Sequence, residues 1–478
     1  MRTRLLFVGL LAFGFSLLAI DARSTYGARV SSDEPQYLLT AMSLWEDLDL
    51  DISDELEAER YRTFHEVRIN QQTFDLNDSG QRISPHDPLL PILLAVPFGI
   101  GGWAGAKVML SAIIGLTAAL TLHVAISRFG ASVGPATWII GAFFTAAPLT
   151  SYGTQVFPAG SAALFLMLAF WAVVHPSRSR RWDVLAVIAI VALPWLSVKY
   201  VPHAAVVGLG LAWKHRAARQ RLLGLASAFA FAGAAYLLLH QGIYGGWTVY
   251  STGDHFIEGS EFDVIGRRPR YGARTRRLIG LIIDTQFGIG AWTPSFLAMP
   301  AALAAVGRTR RDMPVLLGGA VILVGWGVAT WVAFTMHGWW WPGRQITPVL
   351  PFVVIGFAVW AGERIRMTAA IVATTVLGTA TWLILAWEAS TDKRALIVDF
   401  YEVHSPWYQV LAHTLPDHQR LNTTDSVLTF VWMAIIGVGT IAAWRAANAP
   451  AAPPPEATGP GPTRPDTTRP EGQADVSA

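Results

Sequence analysis

At 478 residues, 53% hydrophobic and 14% charged, the chain carries too little polar surface for a water-soluble protein of its size, and its mean hydropathy of +0.39 agrees. A net charge of +3 marks no nucleic-acid partner, because the basic residues fall in short clusters between apolar runs, and the lack of Cys excludes disulfide and thiolate chemistry. The apolar runs are continuous, not alternating, so the fold class is an all-α polytopic membrane protein rather than a barrel.

Residues 1–20 have the basic start and apolar core of a signal sequence, but no clean small-residue cleavage site follows. They are expected to remain as a first span with a cytoplasmic N-terminus. The first extracytoplasmic loop, 21–88, holds 15 of the 33 acids against six Arg and no Lys. Inside it an amphipathic helix is predicted over about 34–47, with Leu38, Met42 and Trp45 at helical spacing and Ser32 or Asp33 with Pro35 at its start. Asp49, Asp51, Asp54, Glu55, Glu57 and Glu59 then read as a solvated acidic face. The loop closes at Ser84-Pro-His-Asp-Pro88. The apolar stretch 89–100 is too short to span and is expected in the interface or dipping into the membrane.

From there the positive-inside rule orders the chain. Spans are predicted over about 103–127, 135–150 and 158–174, then a hairpin with its outer tip at 195–200, then 222–239. An Arg-rich extracytoplasmic loop, 240–277, precedes a short surface helix plus a span within 278–306. Further spans lead out to 337–344, back to Arg364 and Arg366, out to a loop at 388–425, and in to Arg445. The total is about twelve spans in the inner (plasma) membrane with both termini cytoplasmic. Residues 1–446 form the transmembrane domain, and the Pro/Gly/Thr-rich 447–478 is expected to be a disordered cytoplasmic tail.

Five stretches on the outer side carry chemistry. Asp33 and Glu34 place adjacent carboxylates, followed by Tyr37, just beyond the first span; as a plain structural feature they would cap a helix. The segment 266–277 has six Arg, among them Arg268 and Arg270, where few are expected. It suits either anionic lipid headgroups or a lipid-linked phosphate, since guanidinium pairs bidentately with phosphate. His337-Gly-Trp-Trp-Trp-Pro-Gly-Arg344 reads as an interfacial aromatic belt ending in an Arg that wants an anionic partner. Asp284, in an apolar run, is either a functional acid or a helix cap, and His86 with Asp87 is either a site or a proline-bracketed turn. Acids on one loop, Arg on another and an aromatic wall together suit transfer of a sugar from a lipid phosphate. Such transfer needs a carboxylate base for the acceptor and cations for the leaving phosphate. Spare carboxylates could take a divalent metal, but no calcium-loop spacing supports one, so no cofactor is expected.

The order of these features resembles the GT-C superfamily of membrane glycosyltransferases, which includes protein O-mannosyltransferases and the aminoarabinose transferases of lipid A. It is also similar to a group of bacterial membrane proteins placed there. The matching stretches are Asp33-Glu-Pro-Gln-Tyr-Leu-Leu39, Asp47-Leu-Asp-Leu-Asp51, Ser84-Pro-His-Asp-Pro-Leu-Leu-Pro91, Tyr152-Gly-Thr-Gln-Val-Phe-Pro158, Leu193-Pro-Trp-Leu196, Asp284-Thr-Gln-Phe-Gly288 and Pro342-Gly-Arg344. The group often carries an acid after the proline of the fourth stretch, where this chain has Ala159 and Gly160. The resemblance implies a polyprenyl-phosphate sugar donor and an envelope glycan, lipid or protein acceptor. It implies Asp33 as the acceptor-activating base and Glu34 as its supporting or substrate-binding neighbour in the catalytic pair. Arg344 and part of the Arg cluster would hold the carrier phosphate, with Tyr37, His86 and Asp284 as further substrate-binding residues. The alternative is a transporter or flippase for an anionic substrate, disfavoured by large polar loops and few mid-span charges.

Overall fold

The computed structural model describes residues 1–69, 72–76, 81–249, 270–397 and 403–447. The expected tail lies almost wholly outside these residues, as does most of the Arg-rich loop with Arg268. The chain is an all-α polytopic membrane protein. In chain order its first helices are α1 (Arg2–Leu17), α2 (Glu34–Glu46), α3 (Ser53–Glu57), α4 (Leu89–Ser127), α5 (Val133–Thr145), α6 (Pro158–Val173), α7 (Arg180–Leu196), α8 (Val201–Lys214) and α9 (Arg219–Tyr244). The rest are α10 (Tyr271–Arg274), α11 (Arg277–Ile283), α12 (Ile289–Trp292), α13 (Met299–Thr309), α14 (Met313–Gly327), α15 (Leu350–Ala361), α16 (Ile365–Ser390), α17 (Pro406–Ala412) and α18 (Thr423–Ala446). Among the described residues five helices are long and apolar enough to cross a membrane: Leu89–Ser127, Arg219–Tyr244, Met313–Val332, Ile365–Ser390 and Thr423–Ala446. The one sheet described is a hairpin in the first loop, β1 (Phe74–Leu76) against β2 (Gln81–Ile83), with Asp75 opposite Arg82.

Some elements follow their sequence expectation and others depart from it. The stretch 89–100 is set off from the next span as expected: within α4, Gly101 and Gly102 leave helical geometry, Gly102 at φ +58°, so α4 is two helices meeting at a kink. A side chain would resist that conformation, so the kink falls on the glycine pair. The region 278–306 holds no continuous span: Asp284, Gly288 and Pro294 cut it into α11, α12, a 3₁₀ turn and α13, and Leu281 to Ile283 are buried instead of lying on a surface. Helix α9 runs past the expected boundary and carries His240 and Tyr244 as helical residues, not loop residues.

Helix α2 begins where expected but is not amphipathic. Every residue from Glu34 to Ser43 is buried, while Trp45 is exposed, because the helix is packed into the bundle against α4 instead of lying on its surface. Nor are the acids after it a uniformly solvated face. Asp49 accepts from Ser43 Oγ and the Asp51 amide, Asp51 accepts from the Arg82 amide, and Glu55 is fully buried.

Two ends of the bundle can be told apart by their contacts. At one, the Arg310 guanidinium donates to the Phe129 carbonyl, Arg221 donates to the Arg178 carbonyl, and His215 meets Asp183 at 2.8 Å. These are the basic turns that the sequence assigns to the cytoplasm. At the other, the first loop, the 151–157 segment, the α7–α8 tip and the 339–347 strap converge.

Candidate active site

The site begins with a strap. Trp339, Trp340 and Trp341 do not form one interfacial belt: Trp339 is exposed, Trp340 is partly covered, and Trp341 is fully buried against Trp292 and Trp382. The strap's backbone is tied at three points. The Trp339 carbonyl accepts from Ser31 Oγ at 2.8 Å, the Trp341 amide donates to Gln155 Oε1 at 3.1 Å, and the Trp341 carbonyl accepts from the Tyr152 hydroxyl. Its next turn needs Gly343, at φ +87°, where a Cβ would come within 3.0 Å of Ile289 Cγ2 and 3.1 Å of Pro148 Cγ. This turn delivers Arg344.

Arg344 reaches Asp33, 311 positions earlier, and donates to its Oδ2 at 2.7 Å. The guanidinium also lies over the rings of Phe157, 3.8 Å from the centroid, and Trp340, 4.8 Å away. Its Nε is buried without a hydrogen-bond partner among the described residues. Asp33 accepts in addition from Ser32 Oγ at 3.0 Å and, at 3.5 Å, from Gln72 Nε2. Burial alone would push the Asp33 carboxyl up, but the charge of Arg344 and the hydrogen bonds from Arg344 and Ser32 outweigh it and hold the group well below the usual carboxylate range. Asp33 is therefore an anion throughout the physiological range.

Glu34, its neighbour, has a different environment. It is fully buried; Oε1 accepts from the Ser31 amide at 3.1 Å and Ser31 Oγ at 3.0 Å, and Oε2 from the Val156 amide at 2.7 Å. Burial pushes its carboxyl up, opposed by the Lys107 ammonium and these donors. Lys107, itself buried, donates to the carbonyls of Ile20 and Arg29. Glu34 thus welds α2, α4 and the 151–157 segment together, leaving Asp33 at the start of α2 to face the cations.

His86 and Asp87 are more than a turn. His86 stacks on Tyr37 with centroids 4.6 Å apart, and its Nε2 is buried without a hydrogen-bond partner among the described residues. Burial lowers its basicity against the opposing pull of Asp33, so the ring is neutral near pH 7. Asp87 is sealed: it accepts from the Val198 amide at 3.0 Å, the Tyr236 hydroxyl at 2.8 Å and His240 Nε2 at 2.9 Å, while the Tyr244 hydroxyl donates to the His86 carbonyl at 2.8 Å. Tyr236, His240 and Tyr244 are spaced four apart along α9, one face of a helix.

The same contact brings in a residue that sequence reading passed over. Lys199, at the α7–α8 tip beside Val198, donates to Gln345 Oε1 at 3.1 Å, next to Arg344. Burial and the nearby Arg344 charge lower it to about 7, against the pull of Asp33 and Asp87. The signal was available: the chain has only four Lys, and this one follows Leu193-Pro-Trp-Leu196 in an apolar hairpin.

The other expected residues have different partners or lie outside the described residues. Asp284 ends α11; it accepts from the amides of Gln286 at 3.0 Å, Phe287 at 2.6 Å and His418 at 2.9 Å, with His418 Nδ1 at 3.7 Å and His337 Nε2 at 3.9 Å. Arg270 is exposed, and Arg268 lies outside the described residues. Arg274 and Arg277 donate to the carbonyls of Trp331, Ala333 and Phe334, where the helix begun by α14 ends. They satisfy orphan carbonyls there.

Beside the site, α7, α8 and α9 enclose an apolar groove of about 840 Å³, lined by residues such as Ile190, Trp195, Ala204, Gly208, Leu225 and Phe229. Val198 and Tyr236, also in its lining, are two of the three residues that bind Asp87.

No protein-family model and no curated protein matches the chain. Two solved structures resemble it, both of ArnT from Cupriavidus metallidurans. The one bound to undecaprenyl phosphate has a TM-score of 0.48 and 15% identity, covering 91% of this chain and 77% of its own. The apo state has a TM-score of 0.45 and 15% identity, covering 91% and 76%.

Proposed function

We propose that the chain is a glycosyltransferase that moves a sugar from a polyprenyl-phosphate donor to an envelope acceptor at the outer face of the membrane. The observation that carries this reading is the pairing of an ionised carboxylate, Asp33, with a buried guanidinium, Arg344, beside a second cation, Lys199. An apolar groove starts at the same hairpin tip and suits the hydrocarbon of a lipid carrier.

In this reading the donor phosphate binds Arg344 and Lys199, whose charges stabilise the phosphate as the sugar–phosphate bond breaks. Arg344 is shared between Asp33 and the phosphate. As the guanidinium turns part of its charge to the substrate, Asp33 recovers basicity and takes the proton of the acceptor hydroxyl. His86 offers its Nε2 to a sugar or acceptor hydroxyl, and Tyr37 holds the ring in place. Glu34 is a positioning residue in this scheme. Arg270 and Arg268 suit attraction of anionic headgroups rather than the chemical step.

The test is the lipid-linked sugar and envelope glycan profile of cells in which Asp33→Asn replaces the native chain at matched abundance. Loss of one linkage with accumulation of its lipid donor is expected. An unchanged profile, where deletion of the whole protein does change it, would remove Asp33 from the catalytic role.

A further inference from the structure

We infer that the first loop holds a hard divalent cation, best matched by calcium, between Asp47, Asp54 and Glu55, away from the proposed sugar-transfer residues. One carboxylate oxygen from each of these three residues lies within 4.8 Å of the other two. Asp47 and Asp54 are exposed, but Glu55 is fully buried; its oxygens meet no fixed donor from another residue among the described residues, and its carboxyl lies against that of Asp54.

Such a side chain is costly. A buried carboxylate normally has donors on both oxygens; this one instead faces two further carboxylates. The neighbouring acids show the contrast, since Asp49 and Asp51 accept from Ser43 Oγ and from backbone amides. The guanidinium that acts on the cluster, Arg60, binds both oxygens of Glu46. Asp47 sits just after the last turn of α2, where the helix dipole disfavours a second negative charge beside Glu46. One cation would answer all three problems at once.

The ligand chemistry selects its class. Three carboxylates and no nitrogen or sulfur donor suit calcium, magnesium or manganese over zinc or copper. Calcium tolerates an irregular shell of mono- and bidentate carboxylates completed by water, whereas magnesium asks for near-ideal octahedral geometry. Sequence spacing gave no hint, because Asp47 caps the end of α2 while Asp54 and Glu55 lie in α3, and residues 48–52 turn the chain between them. An ion here would pin the far end of the helix that starts at Asp33.

The test uses the full-length protein in detergent, stripped with EDTA and dialysed. Thermal unfolding and titration calorimetry follow addition of CaCl₂, with MgCl₂ and MnCl₂ in parallel. Calcium at 1 mM is expected to raise the melting temperature by on the order of 3 °C, with a Kd around ~10⁻⁴ M. Glu55→Gln should abolish the shift, and Asp54→Asn, an exposed position that leaves the core intact, should reduce it several-fold. Absence of a shift with all three ions overturns the site, the more so if Glu55→Gln melts higher than the native chain in metal-free buffer, since the acid is then simply held protonated. A calcium shift that is unchanged in both variants overturns it as well, by placing the ion elsewhere.

Discussion

Two neighbouring regions of the first loop bury carboxylates in different ways. Glu34 and Asp87 are held largely by groups that cannot leave: the amides of Ser31, Val156 and Val198, and two side chains fixed on α9. Asp33 is held by side chains, chiefly a guanidinium on a separate strap. An amide donor is part of the fold, whereas a guanidinium whose Nε has no hydrogen-bond partner among the described residues can be shared with an arriving anion. The difference separates acids that build the site from the acid that can act in it.

The largest effect should come from breaking the Asp33–Arg344 pair. Asp33→Asn is expected to lower sugar transfer by roughly 10²–10⁴-fold, the range for loss of a general base. The side-chain oxygen can still accept from Arg344, but the buried guanidinium loses its counter-charge, so the melting temperature should fall as well and transfer is compared per folded protein. Arg344→Lys should also lose transfer, because one ammonium cannot serve carboxylate and phosphate together. A transfer assay on purified protein, read beside its melting curve, checks both. Full activity in Asp33→Asn would erase the distinction between the two regions.

Glu34→Gln should show the opposite balance. The new amide would set an N–H against the Val156 or Ser31 amide and leave Lys107 without its counter-charge. Removing one partner of a buried pair costs about 3–5 kcal/mol. The expected outcome is a large fall in melting temperature, with the transfer defect following the loss of folded protein. A variant that melts normally yet transfers no sugar would return Glu34 to a chemical role.

Much of this arrangement was legible in the sequence. The start of α2 at Glu34, the hairpin tip near 195–200 and the membrane-spanning helical class follow from local patterns of proline, charge and apolar length. The partners of each charge were not legible. Nothing local says that Arg344 meets Asp33, that Val156 donates to Glu34, or that Tyr236 and His240 close on Asp87, because these contacts join segments more than a hundred residues apart. For the same reason the acids at 49–59 read as one solvated face: composition does not reveal that the fold turns Glu55 inward. The Trp triplet misled likewise, since an interfacial belt and a strap with one buried indole have the same sequence.

A smaller effect is expected at the sealed turn. Tyr236→Phe removes one donor from Asp87 but keeps the Val198 amide and His240. The cost should be about 1 kcal/mol, a few degrees or less in melting temperature, with transfer retained. Differential scanning calorimetry of the variant beside Glu34→Gln would rank the two fixed acids. A drop as large as that of Glu34→Gln would mean that the turn, not the α2 weld, limits stability.

The finest test of the comparison is pH. Lys199 in the folded protein gives up its proton at about 7, against 10.5 for an unperturbed lysine, with burial the leading cause. Between those values the unfolded chain binds more protons than the folded one. Stability from this residue therefore rises as pH increases from about 7 toward 10.5, and the cost of burying the charge is felt below that window. Anion binding runs the other way, because it needs the ammonium. Affinity for a polyprenyl-phosphate sugar, whose phosphodiester does not titrate here, should weaken several-fold from pH 6 to pH 8.5. Lys199→Arg should bind with little pH dependence, and Lys199→Met should bind weakly at every pH. Equal slopes in the native chain and Lys199→Met would show that this cation does not meet the phosphate, leaving Arg344 to hold it alone.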